Sequence, residues 1–415
     1  MKYKIVAFFS FLFLVAVISY LFSGQKLLQS SLELNNQITS STPTIPPTQT
    51  GKQPNSETSQ GKSPEIPLDI INGFSVHVYA DNLRNPRDLQ FTPGGTLLVS
   101  NPNSNNVYAL PDKNKNGVAD EKKVIISNEN HVHGLAFYQD YLYIADTTQV
   151  VRYMWDEQKL SASFDKVLLT LPRNSNHNNR TIVFNNQGQM FVSLGSTCNV
   201  CIETPQSGGS VMVSDTDGNN PQIFATGLRN APFMAINPKN EELWATEMGR
   251  DNLGDNIPPD EINIVHLNKN YGWPYCFGDK VHDDTFDPLN THRCDNTQPP
   301  VYEIPAHSAP LGLVFINSPQ FPNDWQGDLL VAYHGSWNRS VPAGYKVVHL
   351  KVNSNEIASS DDFLTGFAPA STPKVPGNSA NAAKNRPVDL TFDNSGNLYL
   401  SDDKGGNIYI IQKDQ

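Results

Sequence analysis

The chain has 415 residues, 38% of them hydrophobic, and 30 lysines and arginines against 41 aspartates and glutamates leave a net charge of −11. That acidic balance argues against a nucleic-acid phosphate backbone as a partner, so no nucleic-acid role is expected. The length suits two or three ordinary domains, or one large closed all-β body.

At the start, Lys2 and Lys4 precede an apolar run from Ile5 to Phe22. A basic start followed by such a run reads as an export signal, and its length is close to what a bilayer span needs. Residues 1–24 are therefore read as a signal peptide or an N-terminal membrane anchor. The folded part is expected outside the cytoplasm, periplasmic or extracellular, and membrane-anchored if that segment is kept. Residues 25–70 follow, rich in Ser, Thr, Pro and Gln, as in Ser40-Ser41-Thr42-Pro43-Thr44-Ile45-Pro46-Pro47. Such a composition buries too little apolar area to offset its ordering entropy and reads as a disordered linker.

From residue 71 to 415 one phrase recurs: an apolar strand with Phe, a turn bearing Gly, Asn or Asp, a second strand ending near Ser or Ala, and a third ending in Val or Ile. Its copies begin at Leu89-Gln90-Phe91, Gly134-Leu135-Ala136-Phe137, Ile182-Val183-Phe184, Phe233-Met234-Ala235-Ile236, Leu311-Gly312-Leu313-Val314-Phe315 and Val388-Asp389-Leu390-Thr391-Phe392. Short alternating runs between such turns indicate antiparallel strands, and no helical period of comparable length competes. The expected fold is all-β, a six-bladed β-propeller, because radial repetition protects the strand edges that an open sheet of this size would expose.

Within the third copy lies Cys198-Asn199-Val200-Cys201, and in a later loop Cys276 and Cys294. No thioredoxin-like pattern surrounds the first pair, and Ile202 stands where a haem attachment site needs histidine. In an exported chain two local disulfides are expected. The Cys276–Cys294 bridge would contribute about 3 kcal/mol in the chain-entropy model.

A propeller places function at the mouth of its channel, beside the segments that precede the inner strands and the longest loops. Those segments bring His131, His133, His177, Arg229, Asn230, His307, Arg386 and the run His334-Gly335-Ser336-Trp337-Asn338-Arg339. Arginines and histidines gathered in the cavity of an acidic protein suit an anionic ligand.

His177 with its strand, Gly227-Leu228-Arg229-Asn230, Asp260-Glu261-Ile262-Asn263, Asn270-Tyr271-Gly272-Trp273-Pro274 and His334-Gly335-Ser336-Trp337-Asn338-Arg339 together resemble the glucose/sorbosone dehydrogenase family, in its sorbosone-dehydrogenase-like branch. The resemblance covers the body from about Gly73 to Lys413. It implies an exported six-bladed propeller that oxidises a sugar or sugar aldehyde with pyrroloquinoline quinone and calcium, passing electrons to a cytochrome or membrane quinone. In that resemblance His177 is the general base for the sugar C1 hydroxyl, with an imidazole near its ordinary pKa, and Arg229 stabilises charge on the reduced quinone. Asn230, Arg339, Arg386, His131, His133 and His334 are the implied cofactor-binding residues. Backbone oxygens near Gly249 and Arg250 would hold the calcium at the quinone, and Glu261 with the backbone of Tyr271 a second ion. Where the family often has two arginines before the last inner strand, this chain has Arg386-Pro387-Val388.

Separately, Asp112, Asn114 and Asn116 place oxygen donors at alternate positions ahead of Gly117, like the first half of an EF-hand loop, against the reading of a plain polar hairpin. Two other functions remain open on the same fold: a metal-dependent lactonase, and a non-catalytic carbohydrate-binding or scaffold propeller.

Overall fold

A computed structural model describes residues 61–173, 176–204, 207–368 and 383–414. The segment read as an export signal, and the linker up to residue 60, lie outside the described residues. Among the described residues, no helix is long and apolar enough to cross a membrane.

Six blades follow one another around a ring. Their inner strands are Leu89–Phe91, Gly134–Tyr138, Ile182–Phe184, Met234–Ile236, Pro310–Phe315 and Pro387–Phe392, numbered here as blades 1 to 6. Blades 1 to 5 each add three further antiparallel strands in chain order. Blade 6 adds only Leu398–Asp402 and Asn407–Lys413, and its outer strand is Phe74–Ala80 from the other end of the chain. The ring is thus closed by pairing of the two ends, Phe74 opposite Lys413 and Val78 opposite Tyr409.

The folded part also reaches further toward the N-terminus than the linker boundary at residue 70 allowed. Asp69 and Ile70 pair with Thr365 and Leu364 as a fifth strand on blade 5, and Leu68 and Ile70 pack on the core.

The second strand of several blades, such as Leu97–Asn101, Met190–Leu194 and Leu329–Tyr333, is buried along its whole length. Both of its faces meet neighbouring blades, so its apolar residues run continuously instead of alternating. Between blades 4 and 5, Phe233, Trp244, Ile262, Phe315 and Val331 form one cluster, with Trp244 and Phe315 edge to face at 5.5 Å. Each such side chain contributes about 1.5–3 kcal/mol on burial.

Around the channel the blades are joined by side-chain hydrogen bonds. Asp88 accepts from Leu135 N–H (3.0 Å), Thr181 donates to Pro232 O, Thr246 to Leu311 O (2.8 Å), and Asp389 accepts from Leu89 N–H (2.8 Å). At the remaining junctions the backbone approaches closely at glycine. A Cβ on Gly134 would lie 2.5 Å from Arg180 O, and one on Gly312 2.4 Å from Asp389 Oδ1.

Strand alternation fixes which loops share a face. Segments before the inner strands lie on the same face as connections between second and third strands, and connections between third and fourth strands lie on the other. His177 belongs to the first set. Asp112, Asn114 and Asn116, between Asn106–Leu110 and Lys123–Ser127, belong to the second.

Candidate active site

Connections that follow Leu194 in blade 3, Glu247 in blade 4 and Tyr333 in blade 5 are long, and they wall one side of the mouth. They enclose a cavity of about 120 Å³ lined by His177, Arg229, Asn230, Asp251, Trp337 and Asn338 among others. Grooves of about 740 and 430 Å³ lie on the opposite face, with Asn397 and Gln412 in their walls. Volume therefore does not select the site; the convergence of titratable groups does.

His177 is tied to the end of the neighbouring strand. Its N–H donates to Ser196 O (3.2 Å), and its Nδ1 lies 2.9 Å from Ser196 Oγ and 3.2 Å from Ser196 O. The expectation of an unperturbed imidazole is corrected: burial first, then the Arg229 guanidinium, bring its pKa down to about 3. The ring is therefore neutral at ordinary pH, and negative charge placed beside it would raise its proton affinity.

Arg229, 3% exposed, is held by a full set of acceptors. Nε donates to Asn199 O (2.9 Å), Nη1 to Met248 O (3.1 Å) and Gly249 O (2.9 Å), and Nη2 to Asn199 Oδ1 and Asp251 Oδ2 (both 2.9 Å). Asp251 in turn accepts from Asn338 Nδ2 (2.9 Å), which ties blade 5 to blade 4. Asn230 lies beside this group, its amide 3.4 Å from Met248 Sδ. The carbonyls that converge on positive charge are thus those of Met248 and Gly249. The Arg250 guanidinium instead pairs with Asp283 at 2.7 Å.

Below this level sits a second acidic centre. Glu247 and Glu261 are both buried, and together with Tyr271 and Gly249 they line a cavity of about 10 Å³, room for one ion or water. Glu261 accepts from Gly278 N–H (2.7 Å) and Asn263 Nδ2 (2.9 Å), whereas Asn263 Oδ1 is buried with no donor. Burial and the facing Glu261 push Glu247 well above the usual carboxylate range. Paired carboxylates with an unsatisfied amide oxygen are the donor set of a hard cation. The Tyr271 hydroxyl donates to Ile264 O, so that side chain's hydroxyl serves the blade itself.

Across the mouth, blades 5, 6 and 1 contribute a separate network. Arg87 pairs with Asp403 at 2.8 Å, and His334 Nε2 lies 2.9 Å from the same carboxylate. Burial, outweighing Asp403, brings His334 down to about 4. Arg386 donates to His334 O (3.0 Å) and Gly335 O, its guanidinium 5.3 Å from the Tyr345 ring centre.

Other residues named from the sequence have partners of their own. His133 is fully buried, with Nδ1 3.2 Å from Arg180 O and its ring against Phe233. His131 is held at the backbone by Asn105 Oδ1 (2.9 Å). Arg339 turns into the blade 4 connection, donating to Ala306 O (2.9 Å) and Asn256 Oδ1 (3.0 Å). Asp112, Asn114 and Asn116 accept backbone N–H groups of their own loop on the far face, too remote to join the mouth. Both disulfides form, Cys198–Cys201 and Cys276–Cys294.

Sequence reading missed Arg87, Arg180, Ser196, Asn199, Glu247, Asp251 and Asp403. Arg87 and Arg180 precede inner strands, so the rule that found His177 could have found them.

As a whole the mouth gathers cationic side chains. Arg87, Arg180, Arg229 and Arg386 surround it, and the buried Arg180 Nε and Asn338 Oδ1 have no hydrogen-bond partner. A neutral imidazole and a fixed guanidinium share its cavity.

A family model described as TrAA12-like matches residues 68–414. An uncharacterized protein of Borreliella burgdorferi is 30% identical over 83% of this chain and 90% of its own length. The pyrroloquinoline quinone-dependent pyranose dehydrogenase of Coprinopsis cinerea is 24% identical over 84% of this chain, which spans 55% of that relative's length. In fold the chain resembles the calcium structure of a Trichoderma reesei family AA12 protein, with a TM-score of 0.74 at 21% identity, covering 86% of this chain and all of that one. With the match running from the fifth strand of blade 5 to the last strand of blade 6, and so across every mouth residue described above, the chain belongs to the TrAA12-like family.

Proposed function

We propose that the chain is an exported, pyrroloquinoline quinone- and calcium-dependent dehydrogenase that oxidises an aldose or a sugar-derived aldehyde. The observation that carries this reading is a neutral imidazole, His177, in one cavity with the fixed guanidinium of Arg229 at an arginine-ringed mouth. The named activity of the Coprinopsis relative supports it.

When bound, the quinone supplies the acceptor for the hydride that leaves the sugar C1. His177 takes the C1 hydroxyl proton. Arg229, held in place by Asn199 and Asp251, presents positive charge where negative charge develops, and Asn230 offers a hydrogen bond beside it. Arg386 and Arg87 are the cations for carboxylates. Arg87, paired with Asp403, would be the second arginine that the chain lacks beside Arg386. Trp337, 50% exposed in the cavity wall, offers an apolar face to a sugar ring. Glu247 and Glu261 would hold a calcium ion with an oxygen donor set suited to it, whereas Gly249 O, expected at a calcium nearer the base, already accepts from Arg229.

Two disulfides fit an oxidising compartment, periplasmic or extracellular, reached through the N-terminal apolar segment. Residues 1–24 would then signal or anchor, and the segment after them would tether. A cytochrome or membrane quinone would serve as the electron acceptor. The test is dye reduction by apo-protein: it should require aldose, quinone and calcium together. Absence of sugar-dependent reduction with all three present, across a panel of aldoses and aldehydes, refutes the reading.

A further inference from the structure

Ser196 belongs to none of the motifs above, yet it connects three parts of the site. It is fully buried. Its N–H donates to Arg229 O (2.8 Å), its carbonyl accepts the His177 N–H (3.2 Å), and its hydroxyl donates to Cys198 O (2.7 Å) at the head of the turn closed by the Cys198–Cys201 disulfide.

This arrangement decides which nitrogen of His177 is protonated. The hydroxyl hydrogen of Ser196 is engaged by Cys198 O, so Ser196 Oγ faces His177 Nδ1 at 2.9 Å with a lone pair. A further contact of Nδ1, Ser196 O at 3.2 Å, is also an acceptor. A neutral imidazole carries one N–H, and two acceptors at Nδ1 place it there, leaving Nε2 as the basic nitrogen.

We propose that Ser196 is a positioning residue that fixes His177 as the Nδ1–H tautomer, and that the disulfide-closed turn orients the Ser196 hydroxyl for this task. The proposal rests on the reading of His177 as the base. In the step it serves, the C1 hydroxyl proton goes to His177 Nε2 and the C1–H electron pair leaves as hydride for the quinone. C1 rises from the aldehyde level of the hemiacetal to the carboxyl level of a lactone, and the two electrons go to the quinone as that hydride. The resulting imidazolium keeps its Nδ1–H on the Ser196 acceptors. No bond to Ser196 forms or breaks.

The test uses the full chain labelled with nitrogen-15 histidine, free of quinone and sugar, at neutral pH, with His177→Ala identifying the relevant signals. The wild type should show Nδ1 protonated and Nε2 bare. Ser196→Ala should give a mixture of tautomers and, after reconstitution, a turnover lowered roughly 10- to 100-fold with quinone affinity and sugar KM unchanged. Ser196→Thr, which keeps the hydroxyl, should restore most of both. Opening the turn with Cys198→Ser and Cys201→Ser should move the spectrum in the direction of Ser196→Ala.

A wild-type spectrum of the Nε2–H form overturns the proposal whether or not any variant folds. So does a Ser196→Ala protein with unchanged tautomer and turnover. An unchanged spectrum in the double cysteine variant removes the turn's part in it. Because the spectrum needs no cofactor, a failure of the dehydrogenase reading would appear separately, as absent dye reduction in a wild type with the expected tautomer.

Discussion

Removing calcium is the perturbation that the buried acidic centre makes quantitative. Glu247 and Glu261 are 5% and 3% exposed and share a cavity of about 10 Å³ with a donorless Asn263 Oδ1 nearby. Two buried carboxylates repel unless a cation or proton intervenes, so calcium binds the folded chain and not the unfolded one. At a free concentration one hundred times the dissociation constant, that linkage stabilises by about 2.7 kcal/mol. A folded body of roughly 350 residues has an unfolding entropy of about 0.7 kcal/mol/K, so Tm should rise by about 4 °C over a chelated sample. Differential scanning calorimetry in calcium and in chelator reads this directly. Glu261→Gln keeps the side chain's shape and removes one charge. It should melt no lower than wild type in chelator and gain less than about 1 °C from calcium. If wild type shows no calcium shift, or the variant shows the wild-type shift, this centre is not the calcium site.

Two further outcomes follow from the same geometry. His177→Ala should lower turnover by roughly 100-fold or more while leaving the calcium-dependent Tm within about 1 °C of wild type, as stopped-time dye assays and melts would show; a loss of only a few-fold argues against the base assignment. Asp389, buried against Asp88 at the junction of blades 6 and 1, has its pKa pushed up by burial to about 7. A carboxyl raised in the folded state stabilises most below its ordinary value of 3.8 and loses that contribution as pH rises through 7. Asp389→Asn should remove up to about 4 kcal/mol of that fall and be the more stable protein at pH 8. Parallel stability-versus-pH curves for the two proteins would contradict a raised Asp389 carboxyl.

The propeller was legible because its strands repeat a local pattern. Phe91, Phe137, Phe184, Phe315 and Phe392 each end an apolar run before a turn, and that order survives without any knowledge of packing. Ring closure was not legible, since pairing of Phe74–Ala80 with Asn407–Lys413 joins residues over 300 positions apart with no motif at either end. In the same way, Asp69–Ile70 carry too few apolar residues to look like a strand until Leu364 and Thr365 lie beside them.

At the site, His177, Arg229 and Asn230 were found because position before an inner strand is a local property. Their partners were not. Asn199, Asp251 and Asn338 matter only through contacts that cross blades 3, 4 and 5, and Ser196 acts through one hydroxyl. The same rule overreached at His133, which sits one residue too deep and packs on Phe233. The long loop after Tyr333 supplied Arg339, whose guanidinium finds Ala306 O and Asn256 Oδ1 instead of the mouth. The Asp112 loop was read as half of a calcium-binding loop against a plain polar hairpin, and strand direction puts it on the face opposite the mouth.

The most direct measurement is the reductive half-reaction without any electron acceptor. Protein loaded with quinone and calcium is mixed anaerobically with an aldose, and the visible absorption of the bound quinone is followed. The account predicts sugar-dependent loss of the oxidised quinone spectrum, one equivalent per chain, slowed by roughly 100-fold or more in His177→Ala. A quinone spectrum that no aldose or sugar aldehyde changes, or one that changes equally fast in the variant, would contradict it.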